Sequence, residues 1–249
     1  MSVPLTTNLD ATISSFGGVG TSFLMHFFKQ YIRINCSHNT DYLKHIDTPP
    51  LTHKINFRAV YIYGNPIEAT VSLFKRNYHS VHSKYLLRSH PKIEPISKQD
   101  DLENYLNRKT DKFKFETHFE QWLHSKRHYP ILFLKYEYLW DYLPELFDFL
   151  EIERKYIYLF PNKKKRTSKL DEILPENLSQ LNNMYGKLVE QIEQYPAFFI
   201  KSPTPGSYFN SLIELPLSLA NNLDSIHPAI TFSTFYPKTY NFLKHLLMR

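Results

Sequence analysis

Apolar positions along the first third of the chain fall into short unbroken runs that alternate with helically spaced stretches. The run Ala11-Thr12-Ile13-Ser14-Ser15-Phe16 is apolar and β-prone. It leads through Gly17-Gly18-Val19-Gly20 into residues 21–32, where Phe23, Leu24, Phe27, Phe28 and Tyr31 recur at helical spacing. The pattern predicts strand, glycine loop, helix. Residues 42–46 (Tyr-Leu-Lys-His-Ile) form a second strand candidate, which Asp47-Thr48-Pro49-Pro50 stops because proline cannot continue it. Arg58-Ala59-Val60-Tyr61-Ile62-Tyr63 has the pattern of a strand buried on both faces. After Gly64, Asn65 suits a helix N-cap and Pro66 the first helical position, so a helix is predicted over 67–77.

Farther on, residues 79–101 are polar and interrupted by proline, and read as a loop or lid. Residues 102–126 read as largely helical, anchored by Phe115, Phe119 and Trp122. A buried strand is predicted over 130–136, a helix over 142–150 and a long amphipathic helix from Pro175 to about Glu193. Strands that alternate with helices predict an α/β fold in three layers, α/β/α, around a mainly parallel central sheet. One α/β domain is expected over 1–200. Residues 201–249 are expected to be a C-terminal extension packed on it.

The 249 residues are 42% hydrophobic and 16% aromatic, enough apolar material for a globular core. A formal charge of +6 favours anionic ligands or surfaces. The dense basic stretch 162–169 lacks interleaved aromatic residues, so no nucleic-acid partner is expected. The lone Cys36 excludes an intrachain disulfide and a multi-cysteine zinc site. No signal peptide and no run of membrane-spanning length is seen, and the expected location is cytoplasmic.

Half of the six glycines lie in the loop Gly17-Gly18-Val19-Gly20, directly before a helix. Glycine there lets the backbone approach a ligand closely, and amides converging on a helix N-terminus bind phosphate or a similar oxyanion. The loop ends Gly20-Thr21-Ser22 without the lysine of a nucleotide-hydrolysing P-loop, and the strand at 58–63 is not followed by an acid that could help hold magnesium. A P-loop nucleotide kinase is therefore a poor alternative.

Taken in order, these motifs resemble the sulfotransferases that use 3'-phosphoadenosine 5'-phosphosulfate (PAPS). Residues Ser14 to Ser22 resemble that family's phosphosulfate loop, and Lys44-His45-Ile46-Asp47-Thr48-Pro49-Pro50 is similar to its Lys-Thr-His-Leu-Pro segment, with one residue missing between lysine and histidine. Residues Arg58 to Arg76 resemble its 3'-phosphate-binding strand and helix, Leu134 to Leu139 its basic-Tyr-Glu-x-Leu strand, and Arg166 to Ile200 its terminal loop and helix. The likeness covers roughly residues 9–200.

The resemblance implies a P-loop NTPase-like fold and sulfuryl transfer from PAPS to a hydroxyl or amine of a small-molecule or carbohydrate acceptor, without a metal. It implies Lys44 and His45 as catalytic residues, and Gly17, Gly18, Val19, Gly20, Thr21, Ser22, Ser72, Arg166 and Ser168 as cofactor-binding. Two positions depart from the family: Gly18 stands where a lysine or arginine is usual, and Gly64 where an arginine is usual. Ser72 keeps the expected eight-residue spacing from Gly64. Lys75 and Arg76 follow on the same helix and are expected to replace the missing 3'-phosphate cation, as Lys44 is for Gly18. The residues alone also allow plainer readings: Lys44-His45 as a solvated strand end, Ser72 bonded to its own backbone, 163–169 as a surface run, and a relative that binds without catalysing.

Overall fold

In the computed structural model, which describes residues 8–52, 54, 56–163 and 170–205, the apolar runs assemble into an open four-stranded sheet in the order β1-β2-β3-β4. Strand β1 (Ala11–Ser15) pairs in parallel with β2 (Arg58–Tyr63), and β2 in parallel with β3 (Ile131–Lys135). The last strand, β4 (Phe198–Lys201), runs antiparallel to β3. Every residue of β1 and all of β2 after Arg58 are buried, as the apolar runs require. Helices surround the sheet: the fold is α/β and mostly parallel.

Helix α1 (Thr21–Phe28) follows the glycine loop. Helix α2 (Pro66–Lys75) starts where the sequence places it, because Asn65 accepts from the amides of Ile67 and Glu68 and Pro66 needs no partner. The core is aromatic. Tyr61 stacks on Trp122 at 4.7 Å and Phe133 on Phe199 at 4.7 Å. The helix predicted after Pro175 is α7 (Pro175–Glu193).

Several expectations need correction. Residues 42–46 are not a strand. The outer edge of β1 is occupied instead by the side chain of Asn35, which accepts from Ile13 N at 2.8 Å and donates to Ile13 O at 3.1 Å. Of the β1 backbone amides only Ser15 N reaches the segment, donating to Lys44 O at 3.0 Å, and the Ser14 hydroxyl donates to Leu43 O at 2.7 Å, while Asp41 and Asn39 take the amides of Leu43 and Lys44. Such side-chain acceptors compete with a ladder, and Tyr42 at φ 60° leaves extended geometry altogether.

The stretch 79–101 is not simply a loop, since it opens with helix α3 (His79–Leu86). The region 102–126 divides into α4 (Leu102–Asn107) and α5 (Phe115–His124), separated where Lys109 and Lys114 take positive φ. Helix α6 (Leu143–Phe149) agrees with its expected position, whereas β4 was not anticipated within the stretch likened to a terminal loop and helix. Among the described residues, no helix is long and apolar enough to cross a membrane.

Candidate functional site

The segments that leave β1, β2 and β3 at their C-terminal ends meet at the glycine loop, the end at which parallel sheets place ligands. Gly17, Gly18 and Gly20 all have left-handed φ, 97°, 71° and 69°. Each is crowded as well. A Cβ on Gly17 would lie 1.8 Å from His82 Nε2, on Gly18 2.7 Å from Ala69 Cα of α2, and on Gly20 2.4 Å from the Tyr136 ring after β3. Glycine is therefore required at these positions by packing as much as by conformation, and helix α2 sits where a residue-18 side chain would go.

Ser15, at the end of β1, organises the loop. Its hydroxyl oxygen accepts from Gly17 N at 3.1 Å and from Thr21 Oγ1 at 2.6 Å, tying the loop's entry to its exit. Among the described residues, the amides of Gly18, Val19, Gly20, Thr21 and Ser22 donate to no protein acceptor. Such a succession of unpaired N–H groups at a helix start attracts an anion.

A cavity of about 380 Å³ opens on the loop, lined by Gly17, Gly18, Gly20, Thr21 and Ser22. Lys44, His45 and Arg76 line it too. The Lys44 side chain reaches back to the loop, its Nζ donating to Ser22 Oγ at 2.5 Å and to Ser37 O at 2.8 Å. Burial and the nearby charge of Arg76 lower its pKa. No Asp or Glu is among the described residues that line the cavity. Two cations are thus drawn together without a carboxylate between them.

His45 is 8% exposed, and its Nδ1 donates to Ser15 O at 2.9 Å, which leaves the Nε2 lone pair available. Burial first, and then neighbouring His82, hold the imidazole well below its usual range, so it is neutral near pH 7. A neutral imidazole with a free lone pair on a cavity wall can accept a proton.

The other sequence-derived candidates separate. Arg76 stands on the cavity, its Nε donating to Ser72 O at 3.0 Å. Lys75 turns away and pairs with Glu172 at 2.6 Å. Ser72 is half-buried and offers Arg76 its carbonyl, and its side chain does not line the cavity. Val19 is buried beneath the loop. Arg166 and Ser168 lie outside the described residues. Beside Gly64, a Cβ would fall 2.8 Å from the Glu137 carboxylate, so an acid occupies the space next to the position where the resembled family has arginine.

Three contributors escaped the sequence reading. The sequence places Ser15 in the strand and in the stretch likened to the phosphosulfate loop without giving it a role of its own, and it places His82 and Tyr85 in a loop or lid. Tyr85 stacks on His45 at 6.1 Å, and His82 meets it edge-on at 4.3 Å. No protein-family model matches the chain, and no curated protein matches it.

The buried histidines set an acid limit on stability. Burial pushes His82 and His118 down to about 4 from 6.5. Between those values the unfolded chain binds protons that the folded chain refuses, so stability falls as pH falls through the window. Calorimetric midpoints should drop steadily from about pH 6.5 to about pH 4. Ring resonances of His82 and His118 that titrate near the ordinary value of about 6.5 would show that the two rings are not held neutral.

Proposed function

We propose that the chain is a sulfotransferase that takes PAPS as donor and a hydroxyl compound as acceptor. The observation that supports this most is the cavity wall, in which unpaired loop amides, Lys44 and Arg76 converge with no carboxylate among the described lining residues. A strand-loop-helix unit beside a second parallel strand-turn-helix unit fits the P-loop type of architecture. The loop amides and Lys44 would hold the phosphosulfate end, and Arg76 the 3'-phosphate end. Thr21 contributes its amide, because its hydroxyl proton is committed to Ser15.

When bound, the donor supplies a sulfuryl group attached to a bisphosphate leaving group. His45 Nε2 takes the proton of the acceptor hydroxyl. The loop amides and Lys44, already aimed at the anion, stabilise the charge that grows on the leaving oxygen. With no acid on the described cavity wall to hold an ammonium, a hydroxyl acceptor fits better than an amine. Its apolar or sugar-like body would lie against Tyr78, Val81 and Tyr85, which border the same space.

Two substitutions on neighbouring residues test the donor site. Arg76→Ala should weaken adenosine 3',5'-bisphosphate by about tenfold or more, the worth of a charge-assisted bond. Lys75→Ala should leave that affinity alone and change stability by about 1 kcal/mol at most, as expected for an exposed ion pair. Calorimetric titration of both variants decides it. Equal losses, or a loss confined to Lys75→Ala, would remove Arg76 from the site.

A further inference from the structure

Helix α3 carries a residue whose placement goes beyond the reading above. His82 is 6% exposed and lines the cavity, and its Nε2 donates to Phe16 O at 2.8 Å. That carbonyl belongs to the peptide whose N–H, on Gly17, donates to Ser15 Oγ at 3.1 Å. The peptide joining β1 to the loop is therefore gripped at both ends, by an imidazole on one side and a hydroxyl on the other.

The close fit is reciprocal. His82 Nε2 stands where a Cβ on residue 17 would fall, so only glycine lets the ring reach Phe16 O. His45 makes the equivalent bond to the preceding carbonyl, Ser15 O, at 2.9 Å. Two adjoining imidazoles thus hold two consecutive carbonyls at the exit of β1. A carbonyl bonded in this way cannot rotate toward the space where an anion would sit, and the amides that follow it keep one orientation.

We propose that His82 is a positioning residue for the oxyanion loop: by fixing the Phe16-Gly17 peptide it presets the amides of Gly18 to Ser22 for a phosphate or sulfate oxygen. This role rests on the loop being an oxyanion site. It assigns α3 a part in donor binding, separate from any contact it makes with the acceptor. Preorganised donors need no reorganisation when the ligand arrives, so loss of the clamp appears in affinity.

The test uses the full chain and two probes, adenosine 3',5'-bisphosphate and inorganic pyrophosphate, titrated calorimetrically. His82→Phe keeps a ring of similar size and removes the donor, and it should weaken both probes by about tenfold or more. His82→Gln retains an N–H near the Nε2 position and should stay within about threefold of the unsubstituted protein. Such rescue separates a donor role from mere space filling. If His82→Phe does not fold, Ser15→Ala cuts the clamp from its other side and carries the same expectation. Unaltered affinity in the variant without the donor, or equal loss in the Phe and Gln variants, overturns the proposal while leaving the donor site intact. Failure of the unsubstituted protein to bind either probe overturns the donor site and the clamp together.

Discussion

Replacing His45 by Asn should lower the rate of the proposed sulfuryl transfer by about 10²–10⁴-fold, the usual worth of a positioned general base, the role proposed for this ring. Asn is the informative choice because its amide N–H can take over the bond from Nδ1 to Ser15 O, which keeps the end of β1 satisfied. The substituted side chain has no lone pair of comparable basicity to face the cavity. Affinity for adenosine 3',5'-bisphosphate and the unfolding midpoint should therefore stay close to those of the unsubstituted protein while kcat collapses. Transfer of labelled sulfate to a panel of alcohols and phenols reads the effect. A variant that keeps its kcat would show that His45 is a structural histidine and that the acceptor proton leaves by another route.

The second large effect runs against the family resemblance. Gly18→Lys restores the cation that the resembled sulfotransferases carry, yet it should impair the protein. Residue 18 has φ 71°, where a side chain adds about 1–2 kcal/mol of strain. Its Cβ would stand 2.7 Å from both Cα and Cβ of Ala69 in α2, so the helix must withdraw from the loop. Overpacking of this kind costs about 1–3 kcal/mol more. In a domain of this size the sum lowers the unfolding midpoint by several degrees, at about 2–4 °C per kcal/mol. Withdrawal of α2 also carries Arg76 away from the loop, so affinity for the bisphosphate should fall by about tenfold or more. Tighter binding by Gly18→Lys would mean that α2 does not pack on the loop as described.

These two cases mark what could and could not be read from the chain. The units β1-loop-α1 and β2-turn-α2 were legible because apolar runs, glycines and the Asn65-Pro66 start are local signals. Helix α3 was not legible. Its buried face is made of His79, Ser80, His82, Ser83 and Leu86, and with a single apolar residue among the five it looks like a solvated loop to any hydropathy argument. The polar groups are buried because some of them bond the backbone of other segments, as His82 does to Phe16 and Ser83 to the amide of Ile96.

Lys44 and His45, singled out by motif, do not lie on the strand expected for them. They belong to an irregular segment pinned by Asn39, Asp41 and the Trp122 indole, which donates to Ile46 O at 2.9 Å. The choice between Lys75 and Arg76 was equally beyond the sequence. Adjacent helical residues point about a quarter-turn apart, and in the structure Lys75 pairs with Glu172 while Arg76 bonds Ser72 O and lines the cavity.

The proposed donor site requires one cavity to grip a nucleotide that carries phosphates on both its 3' and 5' sides. Thermal unfolding of the full chain with adenosine 3',5'-bisphosphate, against adenosine 5'-monophosphate as the ligand lacking the second phosphate, tests it directly. At about a hundredfold excess over Kd the bisphosphate should add about 2.7 kcal/mol to the native state. That raises the midpoint by about 5–11 °C, at about 2–4 °C per kcal/mol, and the monophosphate should do markedly less. An unchanged midpoint at millimolar bisphosphate, or equal shifts with both nucleotides, would contradict the claim.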